Sequence, residues 1–248
     1  MTLSEKQTGS RVLEICVDDA AGLAAAVKGG ADRIELCSAL GSGGLTPSRG
    51  FMSLAALAPI PVYALIRPRI GDFVYSEDDI AVMIADIEAA QAAGLAGVVI
   101  GATRAPGMLD RPVLERLVAA AADLDLTLHR AFDVVGDFDA ALDLAIELGF
   151  SRILTSGGAR HAEDGIQRLT HLSKLANGRI SIMPGGGVRP QNVARFLAIP
   201  GVCEVHASSS QPRATDPRLV DFGFAGDEMR HTDEATVRAL KTALQQFS

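Results

Sequence analysis

The chain of 248 residues carries 23 Lys and Arg against 30 Asp and Glu, a formal net charge of −7, with 48% hydrophobic but only 4% aromatic residues. That acidic balance argues against nucleic acid or an anionic membrane surface as partner, and it leaves Ala, Val, Ile and Leu to build the core. Three cysteines, Cys16, Cys37 and Cys203, are too few and too odd for a disulfide scaffold, which points to a reducing, cytoplasmic setting.

The opening stretch MTLSEKQTGSR (1–11) is polar and lacks the apolar core of a signal peptide. It reads as a tail ahead of a domain spanning 12–248. From Val12 onward, short β-branched runs alternate with Ala- and Leu-rich stretches of helical period. The runs are VLEICV from Val12, RIELC from Arg33, VYALIRP from Val62, GVVIG from Gly97, LTLHRAFD from Leu126, RILTSG from Arg152, ISIMPGGG from Ile180 and EVHASS from Glu204. Helical stretches such as DDIAVMIADIEAAQAAG and DFDAALDLAIELG open on Asp and close on Gly94 and Gly149, as capped helices should. The least regular unit, GSGGLTPSRGFMSLAALAPI from Gly41, predicts a Gly-rich loop and then a short helix. Pro59, Pro61 and Pro68 break the best apolar run, so nothing reaches the ~20 residues that span a bilayer.

Eight strand–helix units without a linker predict one α/β domain, a closed (β/α)8 TIM barrel. An open doubly wound sheet is the runner-up. QPRATDPRLVDFGFAGDEMRHTD, from Gln211, interrupts the pattern before the last helix. It reads as a long loop or arm at about 211–232, suited to covering the barrel or embracing a second subunit.

Side chains alternate between the two faces of a strand, and in a barrel one face meets the helices while the other fills the interior. Leu13, Ile15 and Val17 make the apolar face of the first strand, which turns Glu14 and Cys16 inward. By the same rule Glu35 and Cys37 point inward from the second strand, Arg67 from the third, and Glu204, His206 and Ser208 from the eighth. The fifth strand stays open: either Thr127, His129 and Asp133 face the interior, or Arg130 does. Such an interior is either a buried ion-pair network or a polar site at the carboxyl-terminal mouth, where barrel active sites sit. His161, His171 and His231 fall outside this mouth and read as surface residues.

Glu14 and Cys16 in LEIC echo Glu35 and Cys37 in IELC. On adjacent parallel strands about 4.8 Å apart, the two thiols could hold a soft ion such as Cu(I), helped by His206 or Met183. Otherwise they are small buried hydrophobes; Cys203, at the opposite parity to Glu204, should pack against helices. MPGGGVRPQN, from Met183, ends a strand and opens a helix near Pro190. Its Gly185, Gly186 and Gly187 make a candidate anion cradle, with Ser156 of ILTSGG and His206 as further candidate contacts. An enzyme on a small phosphorylated or carboxylated metabolite would hold the anion with Arg67 and these amides. His129 or Glu35 would move protons, with Asp133 or a glutamate setting the His129 tautomer. No Walker or dinucleotide fingerprint is present, so no organic cofactor is implied.

In order along the chain, LEICVD, GADRIELCSAL, GGLTPSRG, IRPRIGDFVYS, LHRAFD, ILTSGG, IMPGGGV and EVHASS resemble signatures of the CutC family, named for a role in copper homeostasis. The resemblance implies a (β/α)8 barrel and a cytoplasmic, copper-binding protein that forms a homodimer or homotetramer. It maps the Cu(I) ligands onto Cys16 and Cys37, and a polar pocket onto Glu14, Glu35, Arg67, Arg69, His129 and Asp133.

Overall fold

All eight β-branched runs form strands, because short apolar runs such as GVVI and VYAL suit a parallel sheet that is buried on both faces. The computed structural model describes residues 11–226 and 228–247, so the expected polar tail, Arg11 apart, lies outside the described residues. The strands are β1 (Val12–Val17), β2 (Arg33–Leu36), β3 (Val62–Leu65), β4 (Gly97–Ile100), β5 (Thr103–Arg104), β6 (Met108–Leu109), β7 (Asp125–Leu128), β8 (Arg152–Thr155), β9 (Ser181–Pro184), β10 (Glu204–Ala207), β11 (Ser210–Arg213) and β12 (Met229–Thr232). Eight of them pair in parallel in the order β10-β1-β2-β3-β4-β7-β8-β9, while β5 and β6 make a small separate ribbon. β9 and β10 lie side by side without a ladder between them, so the ring closes by packing and the sheet is a nearly closed TIM-type barrel.

The helices are α1 (Ala20–Gly29), α2 (Arg49–Ala55), α3 (Glu77–Ala92), α4 (Arg111–Ala121), α5 (Phe138–Glu147), α6 (Ile166–Ala176), α7 (Val193–Leu197), α8 (Pro217–Asp221) and α9 (Glu234–Gln245). Their starts obey local chemistry. Asp19 caps α1 through Gly22 N–H, and Ser76 with Asp79 forms a reciprocal capping box on α3. Gly29 closes α1 for a different reason than capping: a Cβ there would stand 2.5 Å from Val237 Cβ of α9, and Gly30 (φ +92) makes the left-handed turn instead.

Two apolar clusters report strand parity directly. Leu13, Ile15, Val17, Ile34, Leu36, Ala64, Ile66, Val205 and Ala207 pack outward with the helices. Cys16, Cys37, Tyr63, Leu65 and Val99 form a small inner cluster. Inward placement of Cys16 and Cys37 therefore follows from alternation, as the sequence predicts.

Three local expectations differ. The helix after the glycine run opens at Val193, not near Pro190, and has only five residues. Cys203 is exposed, because it precedes β10 in a loop where strand parity does not hold. The segment at 211–232 is not structureless: β11 and β12 pair antiparallel across it, with α8 between. Among the described residues, no helix is long and apolar enough to cross a membrane.

Candidate functional site

The lower interior of the barrel is filled with compensated charge. Arg33 donates from Nε to Glu14 and from Nη2 to Glu204, while Arg152 donates to Glu204 (3.2 Å), Asp125 (2.7 Å) and Thr127 Oγ1 (3.0 Å). Tyr63 sits among them, its hydroxyl donating to Asp125 (2.6 Å) and both guanidinium carbons lying 5.2–5.3 Å from its ring centre. Burial alone would raise the Glu14 pKa, but Arg33 and His206 overcome it and hold the carboxyl at about 2. Burial and the bond to Asp125 push the Tyr63 hydroxyl up to about 12. Arg33 and Arg152, which balance Glu14 and Glu204, are not among the inward residues named from the sequence. The signal was available, since Arg33 shares the inward parity of Glu35.

Above this network the ladder register assembles a different group. β1 and β10 pair Glu14 with His206, and β1 and β2 pair Cys16 with Glu35. Adjacent strands thus present Cys16, Glu35 and His206 together, with one ligand atom of each lying within 4.8 Å of the others. His206 Nδ1 lies 2.8 Å from Glu14 Oε1 and Nε2 lies 3.6 Å from Glu35 Oε2. Burial opposes charge on His206, but the Cys16 sulfur, Glu14 and Glu35 raise its pKa well above the ordinary value. Burial and the Glu14 charge push Glu35 up to about 7 against the pull of His206. The register sets Glu35 rather than Cys37 beside Cys16. Cys37 lies two residues further along, buried, with its thiol pushed well up by burial and by Glu35.

Arg67 and His129 lie in a second polar neighbourhood. Arg67 is 7% exposed and donates to the carbonyls of Ser42, Gly44 and Gly71, yet it has no carboxylate partner among the described residues. Its Nε and the Nε2 of His129 are buried without a hydrogen-bond partner. Phe73 packs on both, 5.0 Å from the His129 ring and 5.2 Å from the Arg67 guanidinium carbon. Ala131 N–H donates to His129 Nδ1 (3.1 Å), which leaves the ring proton on Nε2. Burial and the Arg67 charge lower the His129 pKa to about 3, so the ring stays neutral.

The choice between His129 and Arg130 dissolves, because β7 ends at Leu128 and Arg130–Val134 turn into a 3-10 helix. Inward alternation carries His129 to its buried place, and the turn sends Arg130 to the cavity. Asp133 does not orient His129, as expected of it. It pairs instead with Arg130 (2.7 Å) and accepts from Thr155 Oγ1, Ser156 and Gly158 N–H. Arg69 stays apart from this group, clamping its own loop through Asp72, Asp79 and the ring of Tyr75.

A cavity of about 1270 Å³ opens at the mouth, with Cys16, His206, Arg130, Gly186, Gly187 and Ser209 in its wall. Gly185 packs against His206, where a Cβ would stand 3.3 Å from that side chain. His161 also lines the cavity, against its expected place outside the mouth, because Ala162 N–H bonds the Gly186 carbonyl and ties the two loops together. Ser209 carried no sequence signal beyond its place after an inward strand end.

A family model described as the CutC family matches residues 11–211. A CutC family protein of Sinorhizobium medicae is 57% identical over 94% of this chain and 96% of its own length. One from Agrobacterium fabrum is 58% identical over 94% of each. The crystal structure of a CutC protein from Streptococcus agalactiae, whose name ties it to copper homeostasis, is 33% identical with a TM-score of 0.76, covering 80% of this chain and 98% of that one. On the matched barrel and on these identities, the chain belongs to the CutC family.

Proposed function

We propose that this chain serves copper homeostasis by holding a single copper ion at the barrel mouth, with Cys16 Sγ and His206 Nε2 as the principal ligands. The supporting observation is the mutual approach of Cys16, Glu35 and His206 to within 4.8 Å inside the barrel. Thiolate and imidazole suit Cu(I), whereas the Glu35 oxygen is the donor a soft ion wants least. Glu14 on His206 Nδ1 fits the carboxylate–histidine–metal arrangement that orients a ligand ring. Cys37 supplies a second sulfur close by, after loss of the proton that its buried site favours. Metal must also displace the His206 proton, so uptake releases protons. Purified protein titrated with Cu(I) against a competing chelator tests this. Cys16→Ser should weaken binding beyond the about 10–100-fold typical of lost outer-shell partners, and Cys37→Ser should weaken it less. Undiminished affinity in the double variant sinks the proposal.

An enzymatic role on a small phosphorylated or carboxylated metabolite has separate support in the orphaned donors Arg67 Nε–H and His129 Nε2–H. A buried guanidinium without a carboxylate is costly unless a ligand anion completes it. Glu35, with its pKa near 7, is the group suited to moving protons at neutral pH. Neutral His129 is suited to donating a hydrogen bond rather than to acting as a base. In a thermal-shift screen, a ligand at 100 times its Kd should add about 2.7 kcal/mol. Arg67→Met should abolish that shift.

We place the protein in the cytoplasm, in keeping with three unpaired cysteines. We assign residues 12–248 to one barrel domain, acting as a homodimer or homotetramer. The stacked and largely exposed Phe222 and Phe224 on the arm give the apolar surface that a second copy would cover.

A further inference from the structure

We infer that the loops after β9 and β10, together with Arg130, form an oxyanion subsite for the phosphate or carboxylate end of a small ligand. The inference rests on the enzymatic role above and gives the ligand a second anion-binding point, apart from Arg67, which does not line the cavity. Arg130 is pinned on two edges: Nε donates to Asp133 (2.7 Å), and Nη2 donates to Ser156 Oγ (2.7 Å) and the Ala159 carbonyl (3.2 Å). Its Nη1 has no acceptor among the described residues, and the residue lines the cavity. A guanidinium fixed in this way, with one terminus unused, is pre-organised for an oxyanion.

The glycine loop keeps that terminus open. Gly186 (φ +96) and Gly187 (φ +86) adopt a conformation that side chains rarely tolerate. A Cβ on Gly186 would crowd Arg130 Nη1 at 3.3 Å, and one on Gly187 would crowd His161 Nδ1 at 3.2 Å. Neither glycine N–H bonds a carbonyl among the described residues.

Ser209, on the next loop, supplies the independent observation. It is 7% exposed, lines the same cavity, and its Oγ is buried without a partner. Its φ of +44 is rare for a residue with a side chain, and such strain collects at ligand sites.

The charge around the cavity agrees. Three arginines, Arg130, Arg189 and Arg230, line it against two carboxylates, Glu163 and Asp164, of which Glu163 is held by Arg195 at 2.7 Å and by Arg189 at 3.5 Å. Cys16 and His206 share the wall, so a ligand anchored by its anion at Arg130 would reach toward the Cys16–Glu35–His206 group.

Isothermal titration of the full chain with inorganic phosphate, and in parallel with acetate, at constant chloride ionic strength tests the subsite. Arg130→Met should weaken anion binding about 10–100-fold, as expected when a charge-assisted hydrogen bond is lost. Arg130→Lys should recover part of it, and Ser209→Ala should weaken it about 2–10-fold. Circular dichroism melting near the wild-type midpoint shows that these variants fold, since Asp133 keeps its Thr155, Ser156 and Gly158 donors. Tighter phosphate assigns a phosphate monoester, tighter acetate a carboxylate, and either supports the subsite. Anion affinity unchanged in Arg130→Met and Ser209→Ala but lost in Arg67→Met overturns the subsite and leaves the enzymatic role standing. No heat with either anion overturns both.

Discussion

Two layers of one barrel interior use the same residue types to opposite ends. In the lower layer Glu14, Glu204, Asp125, Arg33 and Arg152 interlock, and the carboxylates and guanidiniums find partners around Tyr63. In the upper layer Arg67 and His129 keep donors without acceptors, and the one ion-pair partner of Glu35 among the described residues is His206, at 3.6 Å. Buried polar groups are normally satisfied, so each exception needs a reason. A charge that is buried and paired stabilises strand neighbours; one left incomplete is waiting for a ligand or is strained at the fold's expense.

The sharpest way to break this contrast lies in the lower layer. Arg33→Met leaves Glu14 and Glu204 short of their cation, and should cost about 3–5 kcal/mol of stability in denaturant unfolding. A loss below ~1 kcal/mol would show that the lower layer is no more structural than the upper.

A pH titration sharpens the upper layer. His129 has a folded pKa near 3 against 6.5 for the free group. Between those values the unfolded chain takes up a proton that the buried ring refuses. Its contribution to stability is therefore fully present above pH 6.5 and is lost as pH falls toward 3. The charge facing it is that of Arg67, which adds to the effect. His129→Phe, measured against wild type by unfolding from pH 7 to pH 4, should flatten this fall. An unchanged slope would mean that the imidazole titrates freely.

The smallest effect belongs to the thiol outside both layers. Cys203 is exposed, and Cys203→Ser should shift stability by no more than about 0.5 kcal/mol. Copper stoichiometry should stay as in wild type. A lost equivalent would place metal outside the barrel.

Much of this architecture was legible along the chain. Alternation placed Glu14, Cys16, Glu35, Cys37 and His206 in the interior, because a two-residue period is a local property of extended backbone. The same parity turns Arg33 inward as well, a consequence missed because the residue at the start of a strand is easily passed over. Alternation failed beyond strand ends. Arg130 and Asp133 belong to a 3-10 turn, and Cys203 precedes its strand, so their directions depend on loop packing. His161 and Ser209 gave no local cue, since the walls of the cavity come from loops far apart in sequence.

By itself, then, the sequence determined the eight strand–helix units, the outward apolar faces and the set of polar side chains turned inward. The tertiary structure decided which of them meet. Parallel ladders set Cys16 beside Glu35 and Glu14 beside His206, and the ring brought Arg33 and Arg152 together on Glu204. Register and ring closure are set by pairings between distant segments, which no local period encodes.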